Sequence, residues 1–579
     1  MGYRRWQGVF LTVGCALFPA ASAFAQAPSP LSPVEVGDRM AQELLRQQER
    51  ERALRQQQEA LPEVRLERPT EELLQRLPKD ETPCFPIRTI ELNGNDAEKF
   101  QWALQAADPM DDPASGQCLG GAGINLVMKR VQNAIVERGF VTTRILAEPQ
   151  DLKSGSLRLT VIPGRVREVR FTEGSSERGT KWNAIPVGPG ELLNLRDMEQ
   201  GLENFKRVPT AEADIQIAPA EGEGATPGES DLVIQYRQAF PFRLTLSLDD
   251  GGSKATGKQQ GGVTFSYDNF LTLNDLFYIS VNQSVAGGSN GEKGTRGHTI
   301  HYSIPFGYWS LGLTSSSSQY HQTVAGINQS YVYSGTSNNS EVRLSRLIYR
   351  DGTRKTTSWL RGWTRSSNNY IDDTEIEVQR RRMAGWELGV GHREFLSSVT
   401  LDMNLAYRRG TGAMESLPAP EEKFGEGTSR PGVVTADAQV NWPFAVGEQK
   451  LRYTGSWRGQ WNETPLVPQD RFAIGGRYTV RGFDGETVLS AERGWLIRND
   501  LSVALGGSGQ EFYLGADYGE VGGPSSDFLV GKALAGAVLG LRGGYRGFSY
   551  DVFIGQPLKR PEHFKTERAT AGFSLNFQL

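Results

Sequence analysis

From residue 240 onward the chain alternates. Phe242, Leu244, Leu246 and Leu248 are interleaved with Arg243, Thr245, Ser247 and Asp249, and Phe277, Ile279 and Val281 with Tyr278, Ser280 and Asn282. Val399, Leu401, Met403, Leu405 and Tyr407 alternate with Thr400, Asp402, Asn404, Ala406 and Arg408, and Phe573, Leu575, Phe577 and Leu579 close the chain in the same way. Period two means a strand with one apolar and one polar face. Sixteen such segments run to Leu579. Their connections alternate between short (Pro305–Gly307, Arg350–Arg354, Arg393–Ser397, Tyr545–Gly547) and long (Ala286–Gly297, Ser366–Gln379, Gly410–Gly432, Asn462–Arg493). An even number of two-faced strands with alternating short and long turns predicts a transmembrane β-barrel over 240–579. Its lipid face is apolar, its lumen polar, and its long loops lie outside the cell. A propeller or solenoid would show a fixed repeat period, and none is present.

The remaining composition fits this reading. The longest apolar stretch lies in the first 25 residues and is too short to cross a bilayer as a helix. The net charge of −4 gives no electrostatic footprint for nucleic acid. Residues 1–25 read as a secretory signal peptide: Arg4 and Arg5, an apolar Val9–Phe18, and a small-x-small site at Ala23-Phe24-Ala25. A lipoprotein reading of Cys15 lacks the Leu three residues before it. Export leaves Cys84 and Cys118 in a compartment that permits a disulfide. Closing a loop of that length is worth about 3–4 kcal/mol in the chain-entropy model. The alternative is two unpaired buried thiols.

Between the leader and the barrel the chain divides into four parts. Residues 32–60 predict a helix rich in Gln, Glu and Arg, with only Val36, Met40, Leu44 and Leu54 as an apolar stripe. Such a helix suits either a wet channel or a solvated arm. Residues 61–83 read as a charged, Pro-containing linker. Residues 84–163 read as a small α+β module with strand-like Ile87–Leu92, a helix over Phe100–Ala107 and another marked by Ile124, Val127, Met128, Val131 and Ile135. Strand-like Phe140–Leu146 and Leu157–Ile162 follow. Residues 164–238 repeat the β-α-α-β-β order with Val166–Phe171, a helix through Leu195, Met198, Leu202 and Phe205, then Ile215–Ala218 and Leu232–Tyr236. A sixteen-stranded barrel encloses an aqueous lumen that must be closed at rest. The polar helix and the loop Asn462–Arg493 are the two segments suited to plug it.

That long loop contains Val480-Arg481-Gly482-Phe483, and the strand after it carries Tyr513-Leu514-Gly515-Ala516-Asp517-Tyr518-Gly519. With two preceding modules and sixteen strands, the mature chain resembles the two-partner secretion transporters, the TpsB family of the POTRA-barrel superfamily. Cys84-Phe85-Pro86-Ile87, Gly116-Gln117-Cys118-Leu119, Arg138-Gly139-Phe140-Val141-Thr142 and Val161-Ile162-Pro163-Gly164 are similar to that family's first POTRA domain. Asn194–Leu202 is similar to the helix of the second. The resemblance implies that the Val480–Phe483 segment folds back into the lumen and that Arg481 pairs with Asp517 on the inner wall. Alternation agrees: Phe512, Leu514, Ala516 and Tyr518 share the lipid face, while Tyr513, Gly515, Asp517 and Gly519 point inward. Small Gly519 leaves room for the loop, and a guanidinium can grip a carboxylate with two bonds, as Lys cannot. The N-terminal helix is similar to the family's plug helix. The C-terminal residue, Leu579, departs from the Phe common to outer-membrane barrels.

The resemblance implies an outer-membrane pore with its POTRA domains in the periplasm. There they would bind an unfolded exoprotein, most simply along an exposed sheet edge. Its partners would be the TpsA-type exoprotein, outer-membrane lipid and the barrel-assembly machinery. A barrel insertase is the first rival, and two modules are fewer than insertases of the superfamily usually carry. An outer-membrane hydrolase is the second. Gly287-Gly288-Ser289-Asn290-Gly291 matches the hydrolase elbow pattern but lies in a loop with no helix after it. No catalytic residue, cofactor or metal site is expected, since His298, His301, His321, His392 and His563 form no ligand cluster.

Overall fold

The computed structural model describes residues 33–60, 62–66, 76–221, 226–285, 292–325 and 329–579, with side chains from residue 41 of the first segment. The leader reading and the Gly287–Gly291 motif lie outside the described residues.

The C-terminal segment closes into a barrel of sixteen antiparallel strands, the first Phe242–Asp249 and the last Thr570–Gln578. Closure places Leu575 opposite Leu248 and Phe577 opposite Leu246, so the apolar rows of the first and last strands meet on one face. A two-residue strand, Thr374–Glu375, folds against the end of Arg354–Ile371. Several strands run past their expected ends: Ser330–Arg350 has 21 residues, and Arg354–Ile371 extends into what reads as loop. Runs such as Thr336–Ser340 and Ser366–Asn369 put Ser, Thr and Asn on both faces there, and β pairing beyond the hydrocarbon zone needs no apolar face.

Two modules precede the barrel. In the first, Thr89–Gly94 pairs parallel with Ser156–Ile162, which pairs antiparallel with Arg144–Leu146. In the second, Arg165–Phe171 pairs parallel with Glu229–Gln238, which pairs antiparallel with Ala211–Pro219. The topology is therefore the same. Each sheet buries one face under a helix, Gly121–Glu137 in the first module and Leu195–Lys206 in the second. The Asn194 side chain caps the latter by accepting from Arg196 N at 2.9 Å.

Two local readings differ. Residues 101–106 form a 3₁₀ helix rather than an α-helix. The strand expected over Phe140–Leu146 is confined to Arg144–Leu146. Gly139, at φ +100°, turns the chain there, and Phe140 packs its ring edge-on against Phe100 at 5.2 Å instead of extending a strand. A short helix, Lys181–Ala184, is additional. Cys84 and Cys118, 34 positions apart with Cα atoms 5.3 Å apart, form a disulfide where strands Phe85–Pro86 and Cys118–Leu119 pair.

Candidate functional site

The lumen holds two inserts. The first is the helix Pro33–Gln58. Its polar surface is matched by charges on the wall. Arg50 grips Asp249 with two bonds of 2.9 and 3.0 Å, and Arg458 grips Glu49 with bonds of 2.9 and 2.6 Å. Arg52 pairs with Asp437 at 3.3 Å and Arg55 with Glu341. These partners sit on the first, the sixth and the adjacent tenth and eleventh strands, three separate places around the ring. A helix that reaches all of them stands inside the barrel. Near its end, Tyr278 donates to Glu59 at 2.9 Å. A cavity of about 790 Å³ remains between helix, loop and wall, lined by Arg52, Arg361, Glu387, Arg408 and Asp437 among others.

The second insert is the loop between strands Gln449–Asn462 and Arg493–Ala504. It forms a small hairpin of Phe472–Ile474 with Leu489–Ala491, and its tip points into the barrel. Val480, Arg481 and Phe483 are all buried. The Arg481 guanidinium donates from Nε to Asp517 Oδ2 at 2.7 Å and from Nη2 to Asp517 Oδ1 at 2.8 Å. Its backbone N–H donates to the same Oδ2 at 2.9 Å. Three bonds from one residue to one carboxylate fix both side chain and backbone.

Gly482 sits at φ +91°, and a Cβ there would lie 2.5 Å from Gln556 O, so only glycine fits. Gly519 faces the loop. A Cβ on it would meet Val480 at 2.9 Å and Ile474 at 3.0 Å.

Other parts of this site carry no motif. Asp500 accepts from Arg481 Nη2 at 2.6 Å, making a second carboxylate partner. Its inward position is legible from alternation, but its use by the loop is not. Arg498 stands opposite Asp517 across the strand pair. Phe483 packs edge-on against Phe564 at 5.7 Å. Val480, Phe483, Ile474 and Leu489 share an apolar cluster with inward-facing Leu496, Val521 and Leu534. The lumen wall is thus locally apolar where the loop docks. Helix and loop also touch: Arg46 Nη2 donates to Gly485 O at 2.7 Å. Among the described residues no group of three or more His, Cys, Asp or Glu side chains is arranged to hold a metal ion.

Residues 228–543 match the family model described as haemolysin secretion/activation protein ShlB/FhaC/HecB. Residues 85–164 match a ShlB-type POTRA domain and 165–219 a POTRA domain. The chain is 38% identical over 584 residues to the outer membrane transporter CdiB-2 of Burkholderia pseudomallei, covering 97% of this chain and 98% of the relative. It is 23% identical over 508 residues to the hemolysin transporter protein ShlB of Serratia marcescens, covering 85% and 86%. Among solved structures, CdiB from Acinetobacter baumannii superposes with a TM-score of 0.82 at 31% identity, covering 93% of this chain and 99% of that one. CdiB from Escherichia coli shares the fold, with a TM-score of 0.79 at 24% identity.

Proposed function

The chain belongs to the ShlB/FhaC/HecB haemolysin secretion/activation family, and from that premise we propose how its parts divide the work of export. It is an outer-membrane transporter of the two-partner secretion class, with a transmembrane barrel and periplasmic POTRA domains, and it exports an exoprotein.

In our reading the POTRA domains take the unfolded exoprotein in extended form along an exposed sheet edge. The helix Pro33–Gln58 is the resting plug, and it leaves the lumen when cargo arrives. What supports this is its set of ion pairs to separated strands. The most open of them, Arg52–Asp437, is worth about 0–1 kcal/mol, while the two-bond grips of Arg50 and Arg458 hold more firmly. With only Leu44 and Leu54 in its sparse apolar stripe, the plug is held mainly by polar contacts, which water and cargo can replace.

The loop is held differently. The Arg481–Asp517 contact is buried and backed by an apolar cluster. We assign it the role of a lock that keeps the loop against the wall while the plug moves. The apolar outer face meets outer-membrane lipid, and the barrel-assembly machinery inserts it. The inward side chains act as a conduit, and no catalytic step is assigned to them.

The test is to compare secreted and surface proteins between the parent strain and a strain lacking this chain. Loss of one large exoprotein with other barrels unchanged is the expected result. A general fall in outer-membrane barrels would move the role to insertion.

A further inference from the structure

At its periplasmic rim the barrel carries aromatic rings on the lipid side. A chain of contacts runs from Phe240 through Phe242, Tyr267 and Phe270 to Phe277, with successive ring centroids 5.3, 4.3, 5.1 and 5.3 Å apart. Phe306 and Trp309 continue the row on the next hairpin, both exposed on the outward face. Aromatic girdles of this kind lie at the headgroup level of the bilayer.

One more ring joins the row without belonging to the barrel. Trp182, in the helix Lys181–Ala184 of the second POTRA domain, lies 5.8 Å from the ring of Phe306. It is 66% exposed. An indole left this open is no part of its own domain's core, whereas the level of Phe306 is where an amphipathic ring belongs.

The position is held by hydrogen bonds from two asparagine side chains and one backbone amide. Asn183 Nδ2 donates to Leu273 O at 2.6 Å and Pro305 O at 3.2 Å, and Gly307 N donates to Asn183 O at 2.8 Å. Asn274 Nδ2 donates to Thr180 O at 2.7 Å. Two periplasmic turns thus clamp the segment on both sides. The Arg178 guanidinium, 5.6 Å over the Tyr267 ring, ties the start of the segment to the same girdle.

We propose that Trp182 is a lipid-contact foot, by which the second POTRA domain rests its indole in the headgroup boundary of the inner leaflet of the outer membrane. The occupant of this open surface is lipid because the indole touches Phe306, whose own ring is exposed on the lipid-facing side of the barrel. The consequence is mechanical. The second domain keeps a fixed attitude to the membrane during export, and movement of the periplasmic arm falls to the first domain.

The test uses the exported chain, whose two cysteines Cys84 and Cys118 are closed in their disulfide, in vesicles of phosphatidylethanolamine and phosphatidylglycerol. A nitroxide is placed by Trp182→Cys. Phe306→Cys supplies the lipid reference and Met110→Cys, fully exposed in the first domain, the water reference. The ratio of relaxation by oxygen to relaxation by a water-soluble nickel chelate at 182 is expected to match 306 and exceed 110 several-fold. A ratio at 182 equal to that at 110 overturns the proposal. In a second measurement, a photoreactive benzoylphenylalanine replaces Trp182 and so keeps an aromatic ring there. A phospholipid adduct is expected, and its absence, with an adduct obtained at 306, also overturns the proposal.

Discussion

Arg350 Nε donates to Glu199 Oε2 at 2.9 Å, across the junction between the barrel rim and the helix Leu195–Lys206 of the second POTRA domain. The same guanidinium bonds Glu203 Oε2 at 3.0 Å and the carbonyl of Val64 at 2.6 Å. Glu203 and Glu199 in turn accept from the backbone N–H of Val64 at 3.0 Å and Leu66 at 2.9 Å. One side chain therefore joins three parts: the wall, the domain, and the tether that leads from the plug helix. Exit of the helix Pro33–Gln58, as proposed, would pull on residues paired directly with the POTRA helix.

Arg350→Ala is expected to loosen this junction. The Glu199 side chain is fully buried, so losing its partner strands a charge, at a cost of about 3–5 kcal/mol. Arg196 Nη1 still bonds Glu199 at 2.5 and 2.6 Å, which puts the effect at the lower end. Spin-label distances between the second POTRA domain and the barrel should broaden, and the tether at 62–66 should become open to protease. A distance distribution as narrow as the parent's would show that the junction is held elsewhere.

Arg481→Ala should impair secretion while the barrel still inserts at normal abundance. It leaves the Asp517 side chain, 1% exposed, with the longer contact to Arg498 at 3.9 Å as its remaining cation, and Asp500 with Arg542 at 3.5 Å. Arg481→Lys should recover little, because an ammonium cannot span Oδ1 and Oδ2 while also reaching Asp500. Full export by the alanine variant would remove the lock. Asp500→Asn is the informative companion, and a milder defect is expected because two of the three side-chain bonds of Arg481 remain.

The barrel was legible because lipid outside and polar lumen inside force period two on every strand. The inward side of Asp517 followed from the same alternation. What alternation cannot state is which inward groups a loop will reach. Asp500 and Gly536 both point in, yet only the path of the loop brings Arg481 to the first and its backbone over the second, where a Cβ would lie 1.9 Å from Arg481 O. The helix was ambiguous for a related reason. Arg50, Arg52 and Arg55 suit water as well as a charged lumen, and the choice rests on Asp249, Asp437 and Glu341, up to several hundred residues away. Phe140 misled because an apolar residue after a turn reads as strand, whereas here it fills a core beside Phe100.

Deletion of residues 32–60 should raise single-channel conductance without abolishing secretion. A finer version keeps the helix and removes its grip. Asp249→Asn with Glu341→Gln should raise the open probability in planar bilayers, and the difference from the parent should be largest at low salt, where the two lost ion pairs would have been least screened. Unchanged conductance on deletion would show that the loop alone closes the pore.

Reduction of the Cys84–Cys118 bond, or Cys84→Ser with Cys118→Ser, should destabilise the first POTRA domain by about 3–4 kcal/mol in the chain-entropy model. The barrel, closed by its own hydrogen bonds, should keep its heat resistance on gels. The readout is hydrogen exchange in the helix Gly121–Glu137 of the intact protein, which should accelerate while the barrel strands stay protected.

The same helix carries a pH-dependent support. Glu81 accepts from the backbone N–H of Gly120 at 2.7 Å, Ala122 at 2.8 Å and Gly123 at 2.9 Å, at the positive end of the helix dipole. Desolvation acts to raise its carboxyl, but the three amides outweigh it and hold the group below its ordinary range. With the folded value depressed, this contribution is complete above the unfolded pKa and is lost as pH falls through the folded one. Exchange at residues 120–123, corrected for intrinsic rates, should therefore be slow at pH 7 and speed up on acidification. Glu81→Gln should be fast already at pH 7 and lose most of that pH dependence. A variant as protected as the parent at pH 7 would mean that the disulfide and the strand pair beside it hold this helix end without the carboxylate.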